Sequence, residues 1–124
     1  MRIKSWALFE NYKEVSYGEF DEFNQNHKGK GFQFNDAEYR AIKNIFQSQM
    51  DEFSNRIGCG LGQVFVSGKG GKALNIHKLD DEWYSVAYFN PRFNFSKCWI
   101  CDQFDELVDC LTMIKNKGWL STNL

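Results

Sequence analysis

Proline occurs once in 124 residues, at Pro91, which leaves no Pro-rich linker and no visible seam between domains. Long apolar runs are missing too. The longest cover only a few residues, far short of the ~20 a membrane-spanning helix needs. The start Met1-Arg2-Ile3-Lys4-Ser5-Trp6 is basic, but Glu10 and Asn11 interrupt before an apolar segment develops, so a secretory leader is not expected. A strong charge of one sign is absent, the net value being −1. Histidine appears twice, at His27 and His77, which makes catalytic dyads scarce. These absences point to one domain over residues 1–124 in the cytoplasm, without a membrane partner. Residues 1–34 would form an N-terminal segment with a short helix, and 35–124 a helix, a sheet and a C-terminal helix. In that compartment Cys59, Cys98, Cys101 and Cys110 would be reduced thiols.

Aromatic residues are abundant: 12 Phe, 5 Tyr and 4 Trp, or 17% of the chain. Such side chains bury large areas, so a short chain gains core stability from few of them. An excess beyond one core's capacity would surface as a sticky patch. Charge is unevenly spread. Residues 56–98 carry six basic and three acidic side chains, net +3, while 35–55 and 99–124 are each net −2. That field is weak for a dedicated nucleic-acid binder.

Local signals order the chain. Ser16-Tyr17-Gly18-Glu19 and Asn35-Asp36-Ala37-Glu38 are capping boxes. They predict a short helix over 17–26 presenting Phe20 and Phe23, and a longer one over 36–55. On the longer one Tyr39, Ile42, Ile45, Phe46, Met50 and Phe53 recur at helical steps. Residues 61–67, 73–79, 82–89 and 95–101 read as strands separated by turn residues. Asp102 is the expected cap of a last helix with Phe104, Leu107, Val108, Leu111 and Ile114 as its stripe. The fold class expected is α+β: a four-stranded antiparallel meander with the helices packed on one face, in the order α-α-β-β-β-β-α. Alternation places Val64, Val66, Leu74, Ile76, Tyr84, Val86, Tyr88, Cys98 and Ile100 under the helices. Phe65, His77, Trp83, Phe89, Phe95 and Trp99 would then share the opposite face and form a binding surface, unless residues 1–12 fold back over it. A register slip of one residue would exchange a strand's faces.

Candidate chemistry is thin. Cys98-Trp99-Ile100-Cys101 before a helix has the spacing of a redox pair, but it lacks the βαβ context of that motif. Zinc would need a second close pair of ligands. The glycines at 58–62 and 68–71 do not fit a P-loop, because Gly70 stands where Ser or Thr must follow the lysine. They read as flexible turns. No cofactor and no catalytic residue is expected.

Asp81-Glu82-Trp83-Tyr84-Ser85-Val86, followed by Trp99-Ile100-Cys101-Asp102-Gln103-Phe104-Asp105-Glu106-Leu107, resembles a pattern in small uncharacterised proteins of tailed bacteriophages. There it reads approximately DEWFYV, then YYKCDQFEGL. Ile3-Lys4 with Phe9-Glu10 resembles the start of those proteins. The likeness covers about the last third of the chain and a few N-terminal residues. It implies a phage or prophage product acting in the host cytoplasm, with no assigned activity. It also implies an aromatic where Cys98 stands, so a Cys98/Cys101 pair is not part of that pattern. The expected function is therefore a non-enzymatic interaction module binding a host or phage protein, or a second copy of itself. A thiol-redox or zinc protein centred on Cys98 and Cys101 is the alternative, and a weak single-stranded nucleic-acid binder the third reading.

Overall fold

The computed structural model describes residues 12–27, 33–53, 56–60, 62–79 and 83–120. In chain order the elements are β1 (Lys13–Val15), α1 (Tyr17–His27), α2 (Asp36–Phe53), β2 (Arg56–Gly60), β3 (Gln63–Ser67), β4 (Ala73–Lys78), β5 (Trp83–Asn90), β6 (Phe95–Asp102) and α3 (Phe104–Asn116). The strands form one antiparallel sheet in the order β1-β6-β5-β4-β3-β2. The four expected strands are its centre, and a further strand lies at each edge. β2 comes from the glycine cluster expected to be a flexible turn. Arg-Ile-Gly-Cys-Gly has no apolar alternation, and pairing with β3 supplies the extended conformation that its own residues do not signal. No helix among the described residues is long and apolar enough to cross a membrane.

Both capping boxes close. The Ser16 hydroxyl accepts from the Glu19 amide at 3.1 Å, and Asn35 Oδ1 accepts from the Glu38 amide at 2.8 Å. Each Glu reaches back to its cap residue's amide, at 3.3 and 2.9 Å. Ile42 and Phe46 of α2 are fully buried, with Tyr39 and Ile45 packed beside them. On α3 the buried apolar residues are Leu107, Cys110, Leu111 and Ile114, with Glu106 buried beside them. The side chains of Met50 and Phe53, also expected in the α2 stripe, lie outside the described residues.

The expectation for α3's start needs correction. Asp102 remains in β6, paired with Trp83, and Gln103 takes the cap position without a side-chain bond. Glu106 Oε1 instead accepts from the Asp102 amide at 3.1 Å. Gln103 has φ 74° and ψ 156°, a region that favours glycine and costs other residues about 1–3 kcal/mol.

The faces of β3, β4 and β5 follow the expected alternation, whereas those of β6 are exchanged. Four residues, 91–94, turn between β5 and β6, so Asn90 pairs with Phe95 and even-numbered β6 residues face with odd-numbered β5 residues. Trp99 and Cys101 therefore join the core with Val64, Leu74 and Val86. Cys98 and Ile100 lie on the opposite side. The helices do not share one face either. α2 and α3 cover the core, while α1 crosses the other face, where Phe23 meets Trp83 edge-on at 5.3 Å. Ser85 Oγ donates to Asn24 Oδ1 there at 2.8 Å.

One carboxylate ties the helical layer to the sheet. Glu38, in the first turn of α2, accepts from Tyr84 OH at 2.6 Å and from Lys78 Nζ at 2.9 Å. Lys78 and Tyr84 are cross-strand partners in β4 and β5. Burial pushes the Glu38 carboxyl up. The hydrogen bonds from Tyr84, Lys78 and the Asn35 amide, with the charge of Lys78, outweigh it and hold the group below the usual value of 4.5.

Glu38→Gln will lower stability at neutral pH by about 1–3 kcal/mol, as loss of hydrogen bonds to a charged group does. A carboxyl depressed in the folded state stabilises above its unfolded value and loses that contribution as pH falls through the folded one. Urea unfolding at neutral pH and at about pH 3 will therefore show the gap between the two proteins narrowing in acid. Gln103→Gly will raise stability by about 1 kcal/mol through relief of the positive φ, read as a higher denaturation midpoint.

Candidate functional site

The sheet face opposite the core is covered unevenly. Among the described residues α1 lies over Trp83, Ser85 and Ile100, and no other described element covers the part built from β3, β4 and the far end of β5. Small or polar residues carry that part: Ser67, Ala73, Asn75 and Ala87, with Ser96 alongside on β6. Out of it stand Phe65 and Phe89, 43% and 44% exposed. They are two strands apart and one register step offset, which separates them by about 12 Å.

Of the six residues expected to form a binding face, four share it: Phe65, His77, Trp83 and Phe89. Trp83 is partly covered by Phe23, and His77 is half-buried. Phe95 and Trp99 point to the other side. Trp99 is only 2% exposed and packs 6.0 Å from Trp119, while Phe95 lies at the rim against Tyr88 and Trp119. A fold-back of residues 1–12 over the open face falls outside the described residues except at Tyr12, which packs against the core cluster. Two exposed aromatics escaped sequence reading, Tyr17 and Phe93, at 70% and 62%. The spacing Phe89-Asn90-Pro91-Arg92-Phe93-Asn94-Phe95 is the signal for the second, since a proline turn between strands cannot bury three phenylalanines at once.

Two hollows flank α1 and α3. The first, about 320 Å³, opens between α1 and the β1 edge, with Phe23, Trp83, Val15 and Ile100 as floor and Glu19, Glu22 and Lys13 at the rim. The second, about 270 Å³, lies beside Trp99 and Trp119, where Lys97 Nζ and Glu14 pair at 2.9 Å. Neither brings a nucleophile to a base. His77 and Ser85 are cross-strand partners on the face beneath α1, yet Ser85 is fully buried and its hydroxyl donates to Asn24. A nucleophile needs both access and a base to take its proton.

The cysteines separate for a geometric reason. Along a strand successive side chains alternate sides, so a spacing of three sends Cys98 and Cys101 to opposite faces of β6. Cys101 instead meets Cys110 of α3 inside the core. Burial and the nearby Glu14 charge push the Cys98 thiol up to about 11. Burial, the contact with Cys110 and the charge of Glu106 push Cys101 up as well. Reactive thiols and metal-binding thiolates need the opposite shift. Among the described residues no three His, Cys, Asp or Glu side chains gather as a metal site. The backbone of Gly58 and Gly60 lies in strand β2 with no helix directly after it, so it offers no phosphate-cradling loop.

Comparison of the chain with protein-family models, curated proteins and solved structures finds no match.

Alkylation by iodoacetamide at about pH 8, read by peptide mass spectrometry, will leave Cys98, Cys101 and Cys110 unmodified in the native protein. All three will react once guanidinium unfolds the chain.

Proposed function

We propose that this protein is a non-enzymatic interaction module that docks a protein partner on the open half of its sheet. The single observation that carries the reading is the pair Phe65 and Phe89, each over two-fifths exposed on interior strands and surrounded by small side chains. A large aromatic costs solvation where it stands in water, and two on one flat platform make the kind of patch that partners cover. The phage-like pattern at the C-terminal end supports a host or phage protein as the partner, met in a bacterial cytoplasm. A second copy of the chain is the other protein that such a face accepts. The redox and zinc alternatives lose support from the opposed directions and raised pKa values of Cys98 and Cys101.

The double substitution Phe65→Ser and Phe89→Ser tests this. Both sites are exposed, so the variant will melt within a few degrees of the parent, as surface substitutions do. Cross-linking in a bacterial lysate and sedimentation of the purified protein will locate any partner, including a second copy, on residues 63–67 and 83–90. Association will weaken by about 30-fold or more in the variant, the loss expected of removing interface anchors. Equal association of parent and variant would overturn the reading.

A further inference from the structure

We infer that Cys101 and Cys110 are a latent staple, which closes into a disulfide when the chain folds in the presence of a low-molecular-weight disulfide. The finished fold then locks the pair in whichever state it was made. The stability of the protein thereby carries a record of the redox conditions under which it folded.

The turn from β6 into α3 sets the pair. Cys101 stands on the core side of β6 with Trp99, and one residue, Gln103, separates that strand from the helix. Helix α3 therefore folds straight back over the side that Cys101 occupies. Cys110 lies on the buried stripe of α3, with Leu107 and Ile114 one turn away on either side. Both cysteines are fully buried, and their thiols are hydrogen-bonding neighbours. A disulfide demands close, facing Cβ atoms, and two thiols in contact across a strand–helix interface approach that arrangement. Cys98 stands on the other side of β6, so it does not compete for either sulfur.

Closure is a two-step exchange. One cysteine gives up its proton and attacks the added disulfide, which forms a mixed disulfide and expels one small thiolate. The second cysteine, deprotonated in turn, attacks the mixed disulfide and expels the other. In sum two protein thiols lose two protons and two electrons, and the added disulfide becomes two small thiols. Each step needs a thiolate that the reagent can reach. In the fold, burial foremost, then the contact with Cys110 and the charge of Glu106, keeps Cys101 a thiol. Exchange is therefore confined to the open chain, before α3 packs. The same burial protects the bond afterwards, because an external thiolate has no path to it. The link is thus a structural bond and not a redox site. It encloses residues 101–110 and restricts the unfolded chain, which stabilises the fold.

Refolding of the full reduced chain from guanidinium, with either oxidised glutathione or dithiothreitol, tests the inference. Peptide mass spectrometry after alkylation will find Cys101 joined to Cys110 as the main product with glutathione, and no link with dithiothreitol. The linked protein will regain the native circular dichroism and melt about 5 °C or more above the reduced one, as closing so short a loop in a small domain does. Reduced protein that is already folded will stay reduced in the same oxidised glutathione over the same time. Folded linked protein will keep its bond in dithiothreitol until guanidinium is added. The inference is overturned by the absence of the Cys101–Cys110 link after oxidative refolding or by another pair as the main product. It is equally overturned by a linked protein that lacks the native spectrum or melts no higher, or by folded protein that exchanges as fast as the unfolded chain.

Discussion

The Glu38 carboxylate is where three levels of structure are joined. It closes the α2 capping box on Asn35, and it takes the hydroxyl of Tyr84 and the ammonium of Lys78. Those last two stand opposite each other on β4 and β5, so the contact both sets the approach of α2 and clamps the strand register at one point. Lys78 and Glu38 are 11% and 12% exposed at the side chain, and desolvating such a pair is expensive. Three donors on two oxygens offset that cost in a way that an apolar substitute would not, because they specify one geometry. Tyr84 then passes the constraint on. Its ring lies 5.9 Å from both Phe34 and Phe104, so the entry to α2 and the start of α3 are positioned by the same side chain.

From that anchored layer the asymmetry of the molecule follows. Two helices, one of 18 and one of 13 residues, bury the β-branched and aliphatic side of the sheet. Among the described residues, only the 11 of α1 lie on the other side, and a helix of that length spans about 16 Å. A six-stranded sheet is about 24 Å across, so one short helix cannot cover it. The aromatic excess divides accordingly. Tyr84, Tyr88, Trp99 and Phe46 supply the core, and Phe65 and Phe89 are left where no described element reaches them.

Signals that are local in the chain proved legible, and those that depend on a partner strand did not. Both capping boxes and the Ile42–Phe46 stripe are contained within a few residues, so the sequence alone reveals them. Phe65 and Phe89 were also legible, because the pairings of β3, β4 and β5 keep the parity that the turns between them signal. Phe95 and Trp99 were misplaced by parity: a turn longer by one residue exchanges every side chain of β6. β2 was invisible because its glycines have no side chains to alternate. The Asp102 cap failed because pairing with Trp83 holds that residue in the strand, and the helix starts beyond it at the cost of a positive φ.

The cysteine spacing carries the same lesson into chemistry. Three residues apart on a helix, two thiols share a face; three residues apart on a strand, they are directed away from each other. Cys98 and Cys101 thereby become packing groups for two different layers, and the more deeply buried one turns to Cys110. The chemical resources of the chain are thus spent on the interior, while the surface keeps aromatic rings held on stiff strands and closed turns. If a partner docks there as proposed, such a surface would lose little conformational freedom, so its buried area would translate into affinity with a smaller entropic loss than a flexible loop would incur. That is the physical ground for the proposed docking on Phe65 and Phe89, whose rings stand on paired interior strands and not on loops.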